Sequence, residues 1–232
     1  MTLLESLSFL TPADLVALGL LMLLWGAIGW RIEHSGSKKP STSAIMAEYR
    51  REWMRQMIAR EVRIFDAQTI GTLRQGTSFF ASTCVIAIGG TLALIGNADR
   101  VAGLAADLTD ASAPEIVWKL KLLVIVFFLT NAFLKFVWSN RLFGYCSVIM
   151  GAAPNNPADP KAASFARKAA ELNIAAARGF NRGLRAIYFG LAAVAWLAGP
   201  VALAVAALVT ATVIWRREFA SQSRLALLED SL

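Results

Sequence analysis

Long uncharged apolar runs alternate with charged stretches along this chain, and the runs are of membrane-spanning length. Leu15 to Trp30 carries no charge, and with Ala13 to Ile32 included it reaches about the 20 residues that a transmembrane helix needs. Thr11-Pro12-Ala13-Asp14 ahead of it predicts a helix start, with threonine at the cap and proline at the first position. A cleaved signal peptide does not fit, because the positive charges follow the run instead of preceding it. Gly76 to Gly96 is a second uncharged run, crowded with small residues (Gly76, Ser78, Ala81, Ser82, Gly89 and Gly90) that predict a helix interface in a bundle. Ile116 to Trp138 is the third. Trp118 and Trp138 lie roughly 30 Å apart along a helix, the spacing of two interfacial aromatic belts. Lys119, Lys121 and Lys135 are expected to snorkel outward from this span. Ala186 to Trp215 is uncharged over roughly 45 Å of helix, with Gly199-Pro200 in its middle. Proline removes a backbone hydrogen bond and meets the carbonyl of Trp196, so a kink is expected there.

The stretches between the runs are of two kinds. His34 to Ser43 and Pro154 to Pro160 are loops rich in Gly, Pro, Ser and Asn. Ala44 to Gln75 and Lys161 to Arg185 read as helices with charged faces. In the first, Met46, Tyr49, Trp53 and Met57 recur at helical spacing, with Met54, Ile58, Val62 and Phe65 beside them. That stripe suits either the inner membrane surface or the second such helix. Arg141 to Ala153 is expected to continue the third helix or to turn along the interface. Asn97 to Glu115 is an acidic connector whose carboxylates lack calcium-loop spacing.

Composition makes the class firm. The chain is 56% hydrophobic and only 17% charged, against roughly a quarter charged in soluble domains. The expected fold is all-α: an integral membrane helical bundle with four transmembrane helices and two cytoplasmic amphipathic helices. It forms a single membrane domain over 1–232, with spans at about 13–32, 76–96, 116–138 and 186–215 and cytoplasmic helices at about 44–75 and 161–185. The net charge of +7 is ascribed to the positive-inside bias, not to nucleic acid. Lysines and arginines number nine in 31–75 and seven in 139–185, but none in 1–14 and one in 97–115. Loops 31–75 and 139–185 are therefore placed in the cytoplasm, with the N-terminus outside, in a bacterial inner membrane. Four full spans would leave Arg216, Arg217 and Arg224 outside as well. A re-entrant hairpin bent at Gly199-Pro200 would return them to the cytoplasm, with arms too short to span.

Chemistry is sparse. A single histidine, His34, excludes a multi-histidine metal or haem site. Cys84 and Cys146 read as small buried hydrophobes. No phosphate-binding Gly-Lys loop, nucleophile elbow or zinc-protease helix is present, so neither a cofactor nor a catalytic residue is assigned. Asp66 is either an isolated base or, more simply, the ion-pair partner of an arginine such as Arg63. One polar cluster stands out: Asn131, Lys135, Asn140 and Arg141 near the end of the third span, and Asn181, Arg182 and Arg185 before the fourth. It fits either an anion or lipid-headgroup pocket or plain helix-to-helix hydrogen bonding with positive-inside charge.

Several strings carry a family likeness. They are Ile70-Gly71-Thr72-Leu73-Arg74 with Ser78-Phe79-Phe80-Ala81-Ser82-Thr83, Lys135 to Arg141 with Tyr145-Cys146-Ser147, Gly179 to Phe189, and Trp215-Arg216-Arg217-Glu218-Phe219. In these the chain resembles, over nearly its whole length, a family of bacterial and plant membrane proteins known only as a domain of unknown function. The resemblance implies a multi-span membrane protein and transfers no catalytic residue. The expected function is a non-enzymatic accessory or scaffold subunit of a membrane complex, with membrane lipids (anionic ones included), a second copy or a complex subunit as partner. The alternatives are an oligomeric transporter or channel and a lipid-headgroup-binding protein.

Overall fold

The computed structural model describes residues 10–97 and 114–229, and helix is the only regular secondary structure in them. The helices are α1 (Pro12–Glu33), α2 (Thr42–Ala59), α3 (Ile64–Ile95), α4 (Glu115–Gly151), α5 (Ala162–Val194), α6 (Pro200–Phe219) and α7 (Gln222–Leu228). A 3-10 turn, Ala195–Ala198, separates α5 from α6. Four helical segments are long and apolar enough to cross a membrane: α1, α3, α4 and the stretch beginning at Pro200. This is a multi-span, all-α membrane protein. Most of the acidic connector 97–115 lies outside the described residues.

Helix boundaries depart from the hydropathy pattern where charged and apolar segments fuse. The first charged helix ends at Ala59, not near Gln75, and α3 then runs without a break from Ile64 to Ile95. Likewise α5 joins the charged stretch from Ala162 to the apolar one ending at Val194. Charge changes a helix's solvent, not its hydrogen bonding, so a change in polarity does not end a helix. The third helix does continue past Arg141, as far as Gly151. Thr11 and Asp14 close the start of α1 reciprocally. The Asp14 amide donates to Thr11 Oγ1 (3.2 Å) and the Thr11 amide to Asp14 Oδ2 (3.1 Å), which satisfies two donors the helix leaves open.

The chain divides into two compact units, and every helix longer than 18 residues contributes to both. The first unit takes residues up to Arg31, 83–132 and 184–216. In it α4 carries Lys121 against Trp196 and Phe128 against Phe189, with ring centroids 6.5 Å apart in the second pair. As the number rises along α4 it falls along α5, so the two are antiparallel. Trp196 also bonds Asp14, and Trp25 packs edge-on against Phe127 and Phe128, which sets α1 parallel to α4. Gly190 permits close contact, since a Cβ there would lie 3.1 Å from that of Phe128.

The last apolar stretch is a reversal, not a kinked rod. Gly199 has φ +116°, a conformation that costs a residue with a Cβ heavily. Its amide donates to the Trp196 carbonyl at 3.0 Å, and Pro200 then stands at the first position of α6, where a missing amide hydrogen costs nothing. The expected clash between Pro200 and the Trp196 carbonyl is avoided because α5 has already ended. Helix α6 returns alongside α1, bringing Trp215 under Arg31, whose guanidinium carbon is 5.7 Å from the ring centroid. Its 20 residues give roughly 30 Å, so this arm is not too short to span.

The second unit takes residues 32–82, 133–183 and 217 onward. Helices α4 and α5 are antiparallel here too: Ser139 Oγ donates to the Ala176 carbonyl at 2.7 Å, and Cys146 Sγ to that of Ala169 at 3.3 Å. Met54, Met57 and Ile58 of α2 bury against Phe143, Met150 and the alanines of α5. Their neighbours Met46, Tyr49, Val62 and Phe65 remain exposed. Phe80, Phe136 and Phe180 form one ring cluster with centroids 5.4–5.6 Å apart. Gly183 makes room for it, since a Cβ there would fall 2.7 Å from the Phe136 ring. The tail closes this unit. Glu218 takes a hydrogen bond from the Ser43 amide (3.0 Å) and from Ser43 Oγ (2.9 Å), and Arg224 Nε donates to the Pro40 carbonyl (3.0 Å). A carboxylate at a helix N-terminus offsets its open amides and dipole.

Two outcomes test this arrangement. Single cysteines replacing Lys38 and Gln222 should react with an impermeant maleimide from the same face of sealed vesicles; labelling from opposite faces would refute the returned tail. Gly183→Ala should lower thermal stability in detergent by about 1–3 kcal/mol through overpacking against Phe136, whereas Gly71→Ala, with open space around its Cβ, should not.

Candidate functional site

The seven polar residues singled out in the sequence are divided between the two units. Asn131 and Arg185 belong to the first unit, where Arg185 is buried. The other five belong to the second. Asn140 Nδ2 donates to the Arg74 carbonyl at 3.1 Å and also to Ser78 Oγ, tying α4 to α3. Arg141 Nε donates to Tyr145 Oη at 2.6 Å, one turn along its own helix, with the guanidinium over that ring. Lys135 is half-buried on α4, where its carbonyl backs Gly179. Asn181 and Arg182 do converge on one region, the segment from Glu33 to Ser43. Asn181 Nδ2 donates to Ser43 Oγ (3.3 Å), and Arg182 forms a two-pronged ion pair with Glu33, one bond of which is 2.8 Å. That ion pair and the Glu33 hydrogen bond hold the Arg182 guanidinium above its ordinary range.

Three other polar groupings are more completely built. At one end of the first unit, Asp14 is 6% exposed and Lys121 7%. Asp14 Oδ1 accepts from Trp196 Nε1 at 2.7 Å, while Oδ2 accepts from Thr11 Oγ1 at 2.6 Å. The Lys121 ammonium lies 4.5 Å from the centroid of the Trp118 ring and 5.9 Å from that of Trp196. Trp118 is therefore packed inside and not on a lipid-facing belt, and Lys121 does not snorkel. Trp138, 53% exposed, is free to serve as an interfacial ring. Two buried charges in an apolar bundle persist only when paired or hydrogen-bonded, and the two indoles supply the bond and the cation–π faces.

In the second unit Asp66 is fully buried. Its Oδ1 accepts from Trp53 Nε1 at 2.6 Å and from Arg60, so its partner is Arg60 and not Arg63. Arg63 instead donates to the carbonyls of Ala153 (3.0 Å) and Pro154 (2.7 Å) beyond the end of α4, where a cation also suits the helix dipole. Among the described residues, Asp66 Oδ2 and Arg63 Nε find no hydrogen-bond partner. Asp66 stands in the first turn of α3.

The third grouping joins α2 to the middle of α5. Arg50 donates to Asn173, and Asn173 Nδ2 lies 3.8 Å from Cys146 Sγ. Burial pushes the Arg50 guanidinium down from its ordinary range. The exposed face of α2 is laced by ion pairs from Arg51 to Glu48 and Glu171 and from Arg55 to Glu52. The Arg55 and Gln56 hydrogen bonds hold Glu52 down to about 2.

Lys121 and Asp14 escaped the sequence reading because each has an ordinary local explanation, a snorkelling lysine and a helix cap. Their seclusion depends on Trp196, more than 70 residues from either. Among the described residues no three His, Cys, Asp or Glu side chains gather into a group able to hold a metal ion. Both described cysteines are buried free thiols.

A family model described as "Protein of unknown function, DUF599" matches residues 16–223. No curated protein matches the chain, and no solved structure does.

Asp66→Ala should destabilise the protein by about 2 kcal/mol, since two donors lose their acceptor. Arg60→Gln should cost less, about 1 kcal/mol, because Arg60 is 39% exposed and solvent offsets the loss. Thermal unfolding in mild detergent reads both, and equal melting temperatures for wild type and Asp66→Ala would remove Asp66 from the fold's support.

Proposed function

The chain belongs to DUF599, a family of unknown function, and from its geometry we propose that it serves as a non-enzymatic accessory or scaffold subunit in a bacterial inner-membrane complex. The observation that carries this reading is the outward face of α3, the least buried of the candidate spans. Gly89 and Ala93 are exposed four residues apart, with Ile86, 76% exposed, one turn before them. A Cβ built on Gly89 or Gly90 meets no atom within 4 Å, so among the described residues these glycines serve no close helix packing. In lipid, small residues allow close backbone approach between helices, and packing takes the place of the hydrophobic drive. A surface of that kind suits another transmembrane helix.

The interior of the first unit weighs against transport by a single copy. Leu21, Leu122, Ile125, Phe128, Phe189 and Ala193 are buried along the α1, α4 and α5 contacts. The charge distribution supports a cytoplasmic location for the second unit. It holds both basic loops, and the returned tail adds Arg217 and Arg224 to the same unit. A cytoplasmic tail would avoid the conflict that four full spans with an outward tail create.

Copurification in mild detergent followed by native mass spectrometry tests the proposal. A stoichiometric partner, either a second copy or another membrane protein, is expected with the wild-type chain. Gly89→Ile combined with Ala93→Ile should reduce its recovery roughly tenfold with helical content unchanged. A wild-type protein that purifies as a bare monomer would sink the reading.

A further inference from the structure

In the second unit the apolar runs of α3 and α4 stop at the same level. On α3 the uncharged run begins at Gly76, just after Arg74 and Gln75; on α4 it ends at Trp138, with Arg141 the next charge. Phe80 stacks on Phe136 with centroids 5.4 Å apart, and Asn140 Nδ2 donates to the Arg74 carbonyl at 3.1 Å. These contacts set the two limits side by side.

One turn of α4 beyond that level carries two guanidinium groups. Arg141 Nε donates to Tyr145 Oη at 2.6 Å, and its guanidinium carbon lies 5.8 Å from the centroid of that ring. Arg74 reaches across from α3, with its guanidinium carbon 3.9 Å from where a Cβ on Gly144 would stand. Residues three apart on a helix share a face, so positions 141 and 144 adjoin. Both arginines are exposed, and among the described residues neither pairs with a carboxylate. On the membrane side of Arg141, α4 presents Leu134, Val137 and Trp138, which are 59%, 44% and 53% exposed.

Two cations held within one turn repel each other, so a negative charge from outside the chain is stabilised between them. Their level decides what that charge is. The ends of the apolar runs mark the edge of the hydrocarbon, and an exposed tryptophan belongs there. One turn farther, roughly 5 Å, is the layer of lipid phosphates. Guanidinium matches phosphate oxygens in a two-pronged geometry. The Tyr145 hydroxyl already holds Arg141, so less side-chain freedom is lost on binding. A soluble phosphate would gain only these exposed, screened charges, whereas a lipid adds apolar contact along α4.

We infer that Arg74 and Arg141 together bind the phosphate of one anionic membrane phospholipid, whose acyl chain lies along Leu134, Val137 and Trp138. Asn140 is spent on holding α3, and Arg74 takes the place that sequence spacing gave to other residues. The site does not involve the α3 face at Gly89 and Ala93, so failure of either proposal leaves the other standing.

Native mass spectrometry tests this on the full chain, in detergent micelles holding equal amounts of phosphatidylglycerol and phosphatidylcholine with matched acyl chains. The single-lipid adduct should favour phosphatidylglycerol by roughly twentyfold, about fivefold for each arginine near an anionic headgroup. Arg74→Gln or Arg141→Gln alone should lower that ratio about fivefold, and the double variant should lose nearly all of it. Tyr145→Phe keeps both charges but frees Arg141, and should lower the ratio roughly twofold. Arg167→Gln, which removes an exposed charge from α5 in the same unit, should leave it unchanged. Equal retention of the two lipids by the wild-type protein would overturn the inference. So would an undiminished preference in a double variant of unchanged helical content. Millimolar inorganic phosphate should leave the lipid adduct in place; displacement would mean that the site takes a soluble anion, and the lipid assignment would fail.

Discussion

Backbone amides and carbonyls have no water to bond within a bilayer, and each one left open costs several kcal/mol. The chain can therefore turn inside an apolar region only where the turn satisfies its own polar groups. Residues 195–200 meet that condition. The Trp196 carbonyl takes the Gly199 amide, Gly199 accepts the positive φ, and Pro200 presents no amide hydrogen to leave unpaired. Much else follows from this reversal. It returns α6 to α1, creates a groove that ends at Arg31 and Trp215, and delivers Glu218 to the N-terminus of α2.

Buried polar groups follow the same rule. Asp14, Asp66 and Asn173 are each secluded and each held by a donor from elsewhere: Trp196, Trp53 with Arg60, and Arg50. Two of these donors are indoles. Tryptophan delivers one hydrogen bond from a large apolar body, so it reaches a buried carboxylate without bringing a second charge that must be desolvated. Lys121 shows the complementary use, where the ring faces and not the N–H receive the cation. The outcome is a bundle whose polar side chains mostly serve architecture.

Much of the architecture was legible in the sequence, because the bilayer imposes a length scale that a single chain displays. Four apolar runs, a proline-primed start at Pro12 and paired basic segments require no tertiary information. The cap at Thr11 and the extension of the third helix to Gly151 were likewise readable from residue types and from the loop prolines that follow. The candidate site was less legible. Asn181 and Arg182 do meet a common segment, but Asn140 turns to α3 and Arg141 to Tyr145. Sequence spacing places residues on a helix face without saying which neighbour that face meets.

What the sequence by itself determined is class: an all-α, multi-span membrane protein of a family without an assigned activity. Hydropathy, charge bias and helix-start signals are local, and each acts within a few turns of helix. Tertiary structure decided whether Gly199-Pro200 bends a helix or reverses it, whether Lys121 reaches water or an indole, and which arginine takes Asp66. Each of those outcomes depends on side chains brought together from distant or separate helices. It turns on the cost of leaving one buried polar group or charge without its partner, a quantity that no stretch of sequence contains.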